Sequence, residues 1–295
     1  MDYIFLNLKR FDIRPEHGGV NSLAPMASWG NAIAGSILDG LKRRAELHGR
    51  CTFAAFFPEA HLLTAAQVLT PGSHLALGCQ SVHHADTARG GNFGAFTSLR
   101  TANAASELGC TWTIIGHSEE RRYLAELMTL SGAAPDGVAR AVGQILNREI
   151  ACALGAGLRV VYCIGETAEE LPRRLDVLKR QIDEGLAGVV ASGREAGDIV
   201  LAYEPVWAIG PGKTPPAAEE IASIAAAIKA LAPLPLVYGG GLKKENAESI
   251  GGIAALDGGL IALTRFTGAI GFYPDEYLEI VDTYWKGRIA KEGRP

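Results

Sequence analysis

Short apolar runs alternate with longer stretches of helical periodicity along the chain of 295 residues. Eight of the runs have the length of a buried strand, and they cover residues 3–8, 52–56, 75–79, 111–115, 159–163, 199–203, 234–238 and 259–262. Between them lie Ala-rich and Leu-rich stretches with apolar residues at helical spacing, among them residues 31–48, 100–108, 138–154, 172–191 and 217–231. The pattern therefore predicts an alternation of strand and helix.

An alternation repeated eight times favours an α/β protein in which parallel strands close into a barrel surrounded by helices. The competing architecture is a doubly wound open sheet, but no Gly-x-Gly-x-x-Gly turn follows the first strand. The length would suit one large domain or two small ones, and no repeat or linker divides the chain. We therefore expect a single (β/α)8 barrel domain over residues 1–295, with functional groups at the C-terminal ends of its strands.

The sixth apolar run leads into the most informative stretch, which reads Tyr-Glu-Pro-Val-Trp-Ala-Ile-Gly over residues 203–210. The predicted strand ends at Glu204, and Pro205 fixes the backbone immediately after it. Residues 206–213 have an apolar tip with Gly210 and Gly212 near the far end, a composition typical of a hinged lid. A solvated glutamate followed by an ordinary loop would show the same local pattern.

Two other strand ends carry polar side chains. Alternation along the first strand puts Asn7 and Lys9 on one face, so that both polar ends can reach the opening of a barrel. His117 follows the fourth strand and begins a helix with Ser118 in its first turn. Because the positive end of a helix disfavours an imidazolium, we expect His117 to be a neutral hydrogen-bond donor. Taken alone, these residues are more often an exposed lysine and a structural histidine.

The composition excludes several classes of function. The chain is 48% hydrophobic and 20% charged, which suits a globular protein with a sizeable core. Its net charge of −4 gives no sign of a nucleic-acid-binding surface. His83, His84 and Asp86 lie close together, but no fourth ligand with suitable spacing accompanies them. We therefore expect neither a nucleic-acid partner nor a bound metal.

The cysteines and the apolar runs bear on the compartment. Five cysteines are scattered along the chain without a CxxC pair, which is typical of reduced thiols in a cytoplasmic protein. The N-terminal residues lack the pattern of a signal peptide. No apolar run approaches the roughly 20 residues of a membrane-spanning helix, so no membrane association is expected.

The motifs at the strand ends resemble those of the triosephosphate isomerase family. Residues 203–210 followed by Gly-Lys-Thr are similar to the catalytic glutamate and closing loop of that family. Further similar stretches are Gly-His-Ser-Glu at 116–119, Val-Tyr-Cys-Ile-Gly-Glu-Thr at 161–167 and Gly-Ala-Phe-Thr at 94–97. The chain has Leu8 where the family has a tryptophan between the asparagine and the lysine, and Glu120 where it usually has an arginine. The resemblance implies a TIM barrel.

The resemblance also implies a reaction, the interconversion of an aldose phosphate and a ketose phosphate without a metal or an organic cofactor. Glu204 would abstract the proton next to the carbonyl group. His117 would polarise the carbonyl oxygen, and Lys9 would hold the anionic substrate and offset the charge of an enediolate. Asn7 and Glu119 would belong to the same substrate site.

The phosphate site departs from the family pattern. Gly210, Gly240 and Gly241 would bind the substrate phosphate through backbone N–H groups, but the family has a serine in place of Gly241. The eighth loop reads Leu-Ile-Ala-Leu-Thr-Arg-Phe over residues 260–266, where the family has Leu-Val-Gly-Gly-Ala-Ser-Leu. Arg265 has no counterpart there, and we expect either a bidentate contact with the substrate anion or an intrachain salt bridge.

The resemblance further implies a homodimer, because the third loop of the family docks into the neighbouring subunit and would bring Thr97 near the partner's active site. The chain is longer than the usual barrel of the family. Residues 12–28, 83–93 and about 130–143 have the appearance of insertions in the first, third and fourth strand-to-helix regions. Since such loops surround the active site, they are expected to change the substrate or the interface.

Three functions follow from these observations. The first is isomerisation of a triose phosphate, and the second keeps that chemistry with a larger sugar phosphate, such as a tetrulose phosphate. The third is a non-catalytic barrel that binds a metabolite or a protein. The joint presence of Asn7, Lys9, His117, Glu119 and Glu204 argues against the third, since a binding module needs neither a base nor a lid.

Overall fold

The computed structural model describes residues 1–70, 72–189, 197–210 and 212–292. Eight strands pair in parallel with their neighbours in chain order, and the last pairs with the first to close a barrel. The strands are β1 (Asp2–Asn7), β2 (Cys51–Phe57), β3 (Ala76–Gln80), β4 (Trp112–Ile115), β5 (Arg159–Ile164), β6 (Ile199–Tyr203), β7 (Leu236–Tyr238) and β8 (Gly258–Ile261). Each predicted strand overlaps one of these, so the predicted (β/α)8 barrel is confirmed and the open sheet is excluded.

The helices of the described residues lie between the strands and after the last one. They are α1 (Trp29–Lys42), α2 (Leu62–Ala66), α3 (Ala102–Glu107), α4 (Ser118–Leu130), α5 (Pro135–Gly155), α6 (Arg174–Gly185), α7 (Ala218–Leu231), α8 (Lys244–Gly251) and α9 (Pro274–Glu292). The five predicted helical stretches overlap α1, α3, α5, α6 and α7, although α1 begins two residues and α5 three residues earlier than predicted. Residues 190 and 191, the end of one of these stretches, lie outside the described residues.

The side chains of the strands form two apolar layers. Those that point into the barrel include Phe5, Phe56 and Trp112, and the Phe5 ring centroid lies 5.8 Å from that of Phe56 and 5.1 Å from that of Trp112. Residues that alternate with them, such as Ile4 and Leu6, pack outward against the helices. Because large side chains fill the barrel, it is a packed core rather than a channel. A ligand site must therefore lie at an end of the barrel.

Two of the three predicted insertions are held by polar contacts. Asp12 is buried, its Oδ2 lies 3.1 Å from His61 Nε2, and its carbonyl oxygen accepts a hydrogen bond from the Asn21 side chain. In the third loop, Asp86 Oδ2 accepts a hydrogen bond of 2.9 Å from the backbone of Asn103. The third segment is mostly helix rather than loop, because α4 extends to Leu130 and the first turns of α5 occupy residues 135–143.

The last helix is joined to the bottom of the barrel, where the strands begin. Asp2 at the start of β1 is 7% exposed and accepts hydrogen bonds from Arg288 Nε at 2.8 Å and Tyr284 Oη at 3.0 Å. Arg288 also donates through Nη2 to the Leu256 carbonyl oxygen at 2.7 Å. This buried ion pair therefore connects α9 to the first strand and to the segment before the last strand.

Replacement of Arg288 by Ala would leave the Asp2 carboxylate buried without its cation. We expect a loss of about 3 to 5 kcal/mol in the free energy of unfolding, the usual result of breaking a buried ion pair by removing one partner. Denaturant titration measures it, with Lys286→Ala on the exposed face of α9 as the control. Equal stability of the two variants would contradict the assignment.

Candidate active site

The alternation along each strand decides which side chains reach the other end of the barrel, here called the mouth, where the strands finish. Phe5, Cys163, Ala202 and Val237 point inward, so the residue two positions further along each of these strands also points inward. This rule places Asn7, Gly165, Glu204 and Gly239 at the mouth, and all four line a cavity of about 890 Å³.

Eight of the nine predicted site residues line this cavity. They are Asn7, Lys9, His117, Glu119, Glu204, Gly210, Gly240 and Gly241. The ninth, Arg265, is not among its lining residues. The mouth therefore brings together the groups that the sequence separates by up to 234 positions.

Glu204 contacts the residues that begin α4. Its Oε2 accepts a hydrogen bond of 3.0 Å from the Ser118 backbone N–H, and its Oε1 lies 3.1 Å from His117 Nε2. The carboxylate is 2% exposed and the histidine 9% exposed. A buried carboxylate is stable here because it faces the positive end of a helix and two N–H donors.

The hydrogen bonds of His117 decide where its proton lies. Nδ1 accepts a hydrogen bond of 3.2 Å from the Glu119 backbone N–H, which caps α4. An imidazole nitrogen that accepts has no proton of its own, which is the arrangement of a neutral ring with its proton on Nε2. In that tautomer the Nε2–H faces Glu204 Oε1, 3.1 Å away. The geometry thus supports the neutral histidine expected from the sequence.

Lys9 is held in an unusual backbone conformation beside these two groups. Its φ of 40° lies in the left-handed region, a strained conformation that proteins keep mainly at functional sites. Asn7 Oδ1 accepts from the Lys9 N–H at 3.0 Å, and Gln80 Nε2 donates to the Lys9 carbonyl oxygen at 3.1 Å. The ammonium group is thereby directed toward Glu119, whose Oε1 lies 2.8 Å from Nζ.

The Lys9–Glu119 ion pair favours the ionised form of Glu119. Partial burial acts to raise the pKa of this carboxyl group, but the neighbouring basic groups, Lys9 foremost, together outweigh burial and lower it. The carboxylate therefore stays ionised, and the lysine lies at the mouth with its charge directed into the cavity. Glu119 is half exposed, so the pair itself contributes little stability.

The segment after Glu204 is anchored by a buried carboxylate. Glu166 is fully buried and its Oε1 accepts hydrogen bonds from Trp207 Nε1 at 2.9 Å and Tyr203 Oη at 3.1 Å. The Glu166 carbonyl oxygen also accepts from the Val206 N–H at 3.1 Å. The base of the predicted lid is thus fixed on β5, while Gly210 near its tip is exposed.

The glycines after β7 form the opposite wall. A side chain at Gly239 would meet Glu204 Cγ at 2.9 Å, so only a glycine leaves room for the carboxylate. Gly241 has a φ of 92°, a conformation that favours glycine. Asn246 Nδ2 donates to the Gly241 carbonyl oxygen at 3.1 Å and fixes the turn.

Arg265 forms the intrachain salt bridge instead of the substrate contact. Its Nε donates to Glu276 Oε1 at 2.8 Å, Nη2 contacts the same oxygen, and the guanidinium stacks on Tyr273 at 3.9 Å from the ring centroid. The reason is chain reversal, since Arg265 and Gly271 pair as an antiparallel bridge that brings Glu276 close. Of the two expectations for Arg265, the structure therefore favours the salt bridge.

Two acidic side chains lie beneath the turn that carries His117. The Glu120 Oε2 accepts a hydrogen bond of 2.6 Å from the Gly116 N–H, and Ser81 Oγ donates to Glu149 Oε2 at 3.3 Å. Burial, together with repulsion from Glu120, raises the pKa of Glu149. Burial also raises the pKa of Glu120, because its carboxyl group is enclosed by protein.

Sequence reasoning missed two residues that hold the site, Gln80 and Glu166. Gln80 donates to the carbonyl oxygens of Lys9 and Phe56 and to Asn7 Oδ1. The sequence did contain a sign of Gln80, because a polar residue at the end of an apolar run is the same feature that identified Glu204. Glu166 was noted only as part of a motif, since its contact with Trp207 spans 41 positions.

The described residues contain neither a candidate metal site nor a candidate membrane-spanning helix. Within residues 1–70, 72–189, 197–210 and 212–292, no group of three or more His, Cys, Asp or Glu side chains is placed to hold a metal ion. In the same ranges, no helix has the length and apolar character needed to span a membrane.

A barrel mouth that holds a buried carboxylate beside a neutral imidazole and an ammonium group defines a class of enzyme that moves protons on a small anionic substrate. The family model described as "Triosephosphate isomerase" matches residues 31–267. This range is well over half of the chain. The chain belongs to the triosephosphate isomerase family, a family of aldose-ketose isomerases.

Individual relatives agree with the family model. The triosephosphate isomerase of Prosthecochloris aestuarii is 34% identical over 78% of this chain and 84% of its own length. That of Chlorobium phaeobacteroides is 33% identical over 86% of this chain and 92% of its own length. The crystal structure of triosephosphate isomerase from Bartonella henselae has a TM-score of 0.67 and 27% identity, and the match covers 97% of this chain and 99% of that one.

The raised pKa of Glu149 predicts how the stability of the folded protein depends on pH. Because the folded state holds a proton that the unfolded chain releases above the ordinary carboxyl value of 4.5, the contribution of Glu149 to stability falls as the pH rises. Glu149→Gln removes this loss. We expect its stability relative to wild type to be higher at pH 8 than at pH 5 by about 4 kcal/mol, because the two values lie about three pH units apart between the unfolded and folded pKa and each unit is worth about 1.4 kcal/mol.

Thermal unfolding at both pH values measures this effect, with Glu107→Gln on an exposed face as the control. A difference between wild type and Glu149→Gln that is the same at pH 5 and pH 8 would show that the carboxyl group ionises normally in the folded state.

Proposed function

We propose that the protein interconverts glyceraldehyde 3-phosphate and dihydroxyacetone phosphate by proton transfer through an enediolate. The observation that carries this proposal is the 3.1 Å contact between His117 Nε2 and Glu204 Oε1 inside the cavity at the mouth. It places a base and a neutral donor within reach of adjacent atoms of one small substrate. The names of the relatives support the choice of substrate.

Glu204 is the base in this mechanism. Its carboxylate takes the proton from the carbon next to the carbonyl group, while His117 Nε2–H turns from Glu204 to the substrate oxygen. The imidazole then stabilises the developing oxyanion as a donor already in place. Return of the proton from Glu204 to the neighbouring carbon, together with transfer of the hydroxyl proton from one substrate oxygen to the other through His117 Nε2, completes the isomerisation, and no redox partner is needed.

Lys9 supplies the positive charge of the site. The ammonium group lies on the Glu119 side of the cavity, and the strained backbone of Lys9 keeps it there. An enediolate carries more negative charge than the substrate carbonyl, so a fixed cation stabilises it more strongly than the ground state. Asn7 contributes by fixing the Lys9 backbone.

The lid protects the enediolate from water. Val206, Ala208 and Ile209 line the cavity with apolar surface, and Trp207 anchors the segment on Glu166. Closure over the bound substrate excludes water and prevents loss of phosphate from the intermediate. Backbone N–H groups of Gly210, Gly240 and Gly241 bind the phosphate group in this state.

A larger sugar phosphate is the second candidate substrate, and the extent of the cavity favours it. Beyond the catalytic groups the cavity continues between α4 and α5, where Thr129, Pro135 and Val138 line it. Pro135 and Val138 belong to the third of the predicted insertions, and Thr129 immediately precedes it. A four-carbon sugar phosphate would extend into this space without disturbing the contact between His117 and Glu204.

Replacement of Glu204 by Gln tests the base. We expect kcat/KM for glyceraldehyde 3-phosphate to fall by a factor of about 10³, because the amide accepts no proton. Formation of dihydroxyacetone phosphate gives the rate. Glu126→Gln on the exposed face of α4 is the matched control and keeps the wild-type rate.

A panel of four-carbon sugar phosphates completes this experiment. Turnover of these compounds alone, dependent on Glu204, would assign the larger substrate. A Glu204→Gln variant as fast as wild type would exclude Glu204 as the base. If wild type turns over none of these sugar phosphates, the non-catalytic barrel is the better description.

We also propose that two copies of the chain form a dimer through the third loop. Phe93 is 92% exposed and Leu99 is 60% exposed in this loop, which follows β3 on the mouth side of the barrel. Large apolar side chains exposed together on one loop indicate a protein interface. The loop would bring Thr97 near the active site of the second copy.

Phe93→Asp tests the dimer because a carboxylate is costly to bury in an apolar interface. We expect wild type to sediment at twice the chain mass of 31.1 kDa and the variant at the chain mass. Leu231→Asp at the end of α7, on the opposite side of the barrel, is the control. A wild-type protein that sediments as a monomer would contradict the proposal.

A further inference from the structure

Two N–H groups of the eighth loop are already engaged within the loop. The N–H groups of Thr264 and Arg265 both donate to the Gly271 carbonyl oxygen, each at 3.1 Å. Ala262 and Leu263 line the cavity. A positive charge from a neighbouring element would therefore add to the binding of an anionic group at this side of the mouth.

Lys243 is placed to supply that charge. It immediately precedes α8, it is half-buried, and it lines the cavity beside Gly240 and Gly241. Its Nζ lies 3.9 Å from the centroid of the Phe266 ring. Lys243 also lines a smaller cleft between α7 and α8. Phe266 lines the cavity at the mouth but does not line that cleft. The ammonium group is therefore on the cavity side.

The ammonium group of Lys243 is left available by its surroundings. Among the residues that the structure describes, it has no carboxylate within ion-pair distance, whereas Lys9 pairs with Glu119 and Lys244 pairs with Glu279. The Phe266 ring orients the charge through a cation–π contact without neutralising it. A half-buried cation of this kind favours an anionic ligand.

One side chain fixes Lys243 and the glycine turn together. Asn246 Oδ1 accepts from the Lys243 N–H at 2.8 Å, and Asn246 Nδ2 donates to the Gly241 carbonyl oxygen at 3.1 Å. The backbone of Lys243 therefore cannot move independently of Gly241. The N-terminus of α8 adds its own partial positive charge at the same place.

We propose that Lys243 is a phosphate-binding residue of this site and a determinant of its specificity for phosphate esters. Its ammonium group adds a charged donor beside the eighth loop, where the N–H groups of Thr264 and Arg265 are already engaged, while Lys9 stabilises charge at the reacting carbons. The proposal rests on the proposed function for the identity of the phosphate ester, but binding of phosphate itself can be measured separately.

Calorimetric titration with inorganic phosphate tests the proposal on wild type, Lys243→Met and Lys244→Met. Methionine keeps most of the side-chain length and removes the charge, and Lys244 is an exposed neighbour that pairs with Glu279. We expect Lys243→Met to weaken phosphate binding by about tenfold or more, the effect of losing one charge-assisted hydrogen bond. Lys244→Met binds as wild type does, and Lys243→Arg retains most of the affinity.

Kinetics separate this proposal from the proposed function. With an active wild type, we expect Lys243→Met to raise KM for the sugar phosphate by about tenfold and to change kcat much less, since the phosphate group is bound throughout the reaction. Equal phosphate affinity of wild type, Lys243→Met and Lys243→Gln would overturn the role of Lys243, as would a wild type that binds no phosphate. Lys243-dependent phosphate binding without turnover would support the site and contradict the isomerase.

Discussion

The active site depends on the contact between the end of β6 and the start of α4. Barrel closure brings Glu204 to the first turn of α4, where the Ser118 N–H donates a hydrogen bond to its carboxylate and His117 Nε2 lies 3.1 Å from it. A carboxylate with 2% exposure would be costly to bury without such polar neighbours. The same contacts hold it at the cavity. Burial and chemistry therefore have one cause, the approach of a helix N-terminus to a strand end.

The other parts of the site are arranged around this contact. Glu120 holds the turn that carries His117 from below, and Gln80 holds the backbone of Lys9 from the side. Glu166 fixes the beginning of the lid. Each of these residues acts through hydrogen bonds to backbone or side-chain atoms of the site, so the reacting groups are held in place before substrate binds. Preorganisation of this kind is the main requirement for stabilising an enediolate.

The sequence was most informative where a strand ends. Glu204 and Asn7 were predictable because alternation along a strand determines which side chain reaches the mouth, and His117 because a residue between a strand and a helix becomes a cap. Arg265 could not be assigned from sequence, since its pairing with Glu276 depends on the reversal of the eighth loop. In the segment at 130–143, the point at which the loop becomes helix α5 was missed, because a short sequence gives little sign of such a boundary.

The protonation state of His117 tests the central claim most directly. Nitrogen-15 NMR of histidine-labelled protein at pH 7.5, with His117→Gln to assign the signals, distinguishes the two neutral tautomers and the imidazolium. Our account predicts a neutral ring with its proton on Nε2, because Nδ1 accepts from the Glu119 N–H. A proton on Nδ1, or protons on both nitrogens, would contradict the assignment of His117 as the neutral donor facing Glu204.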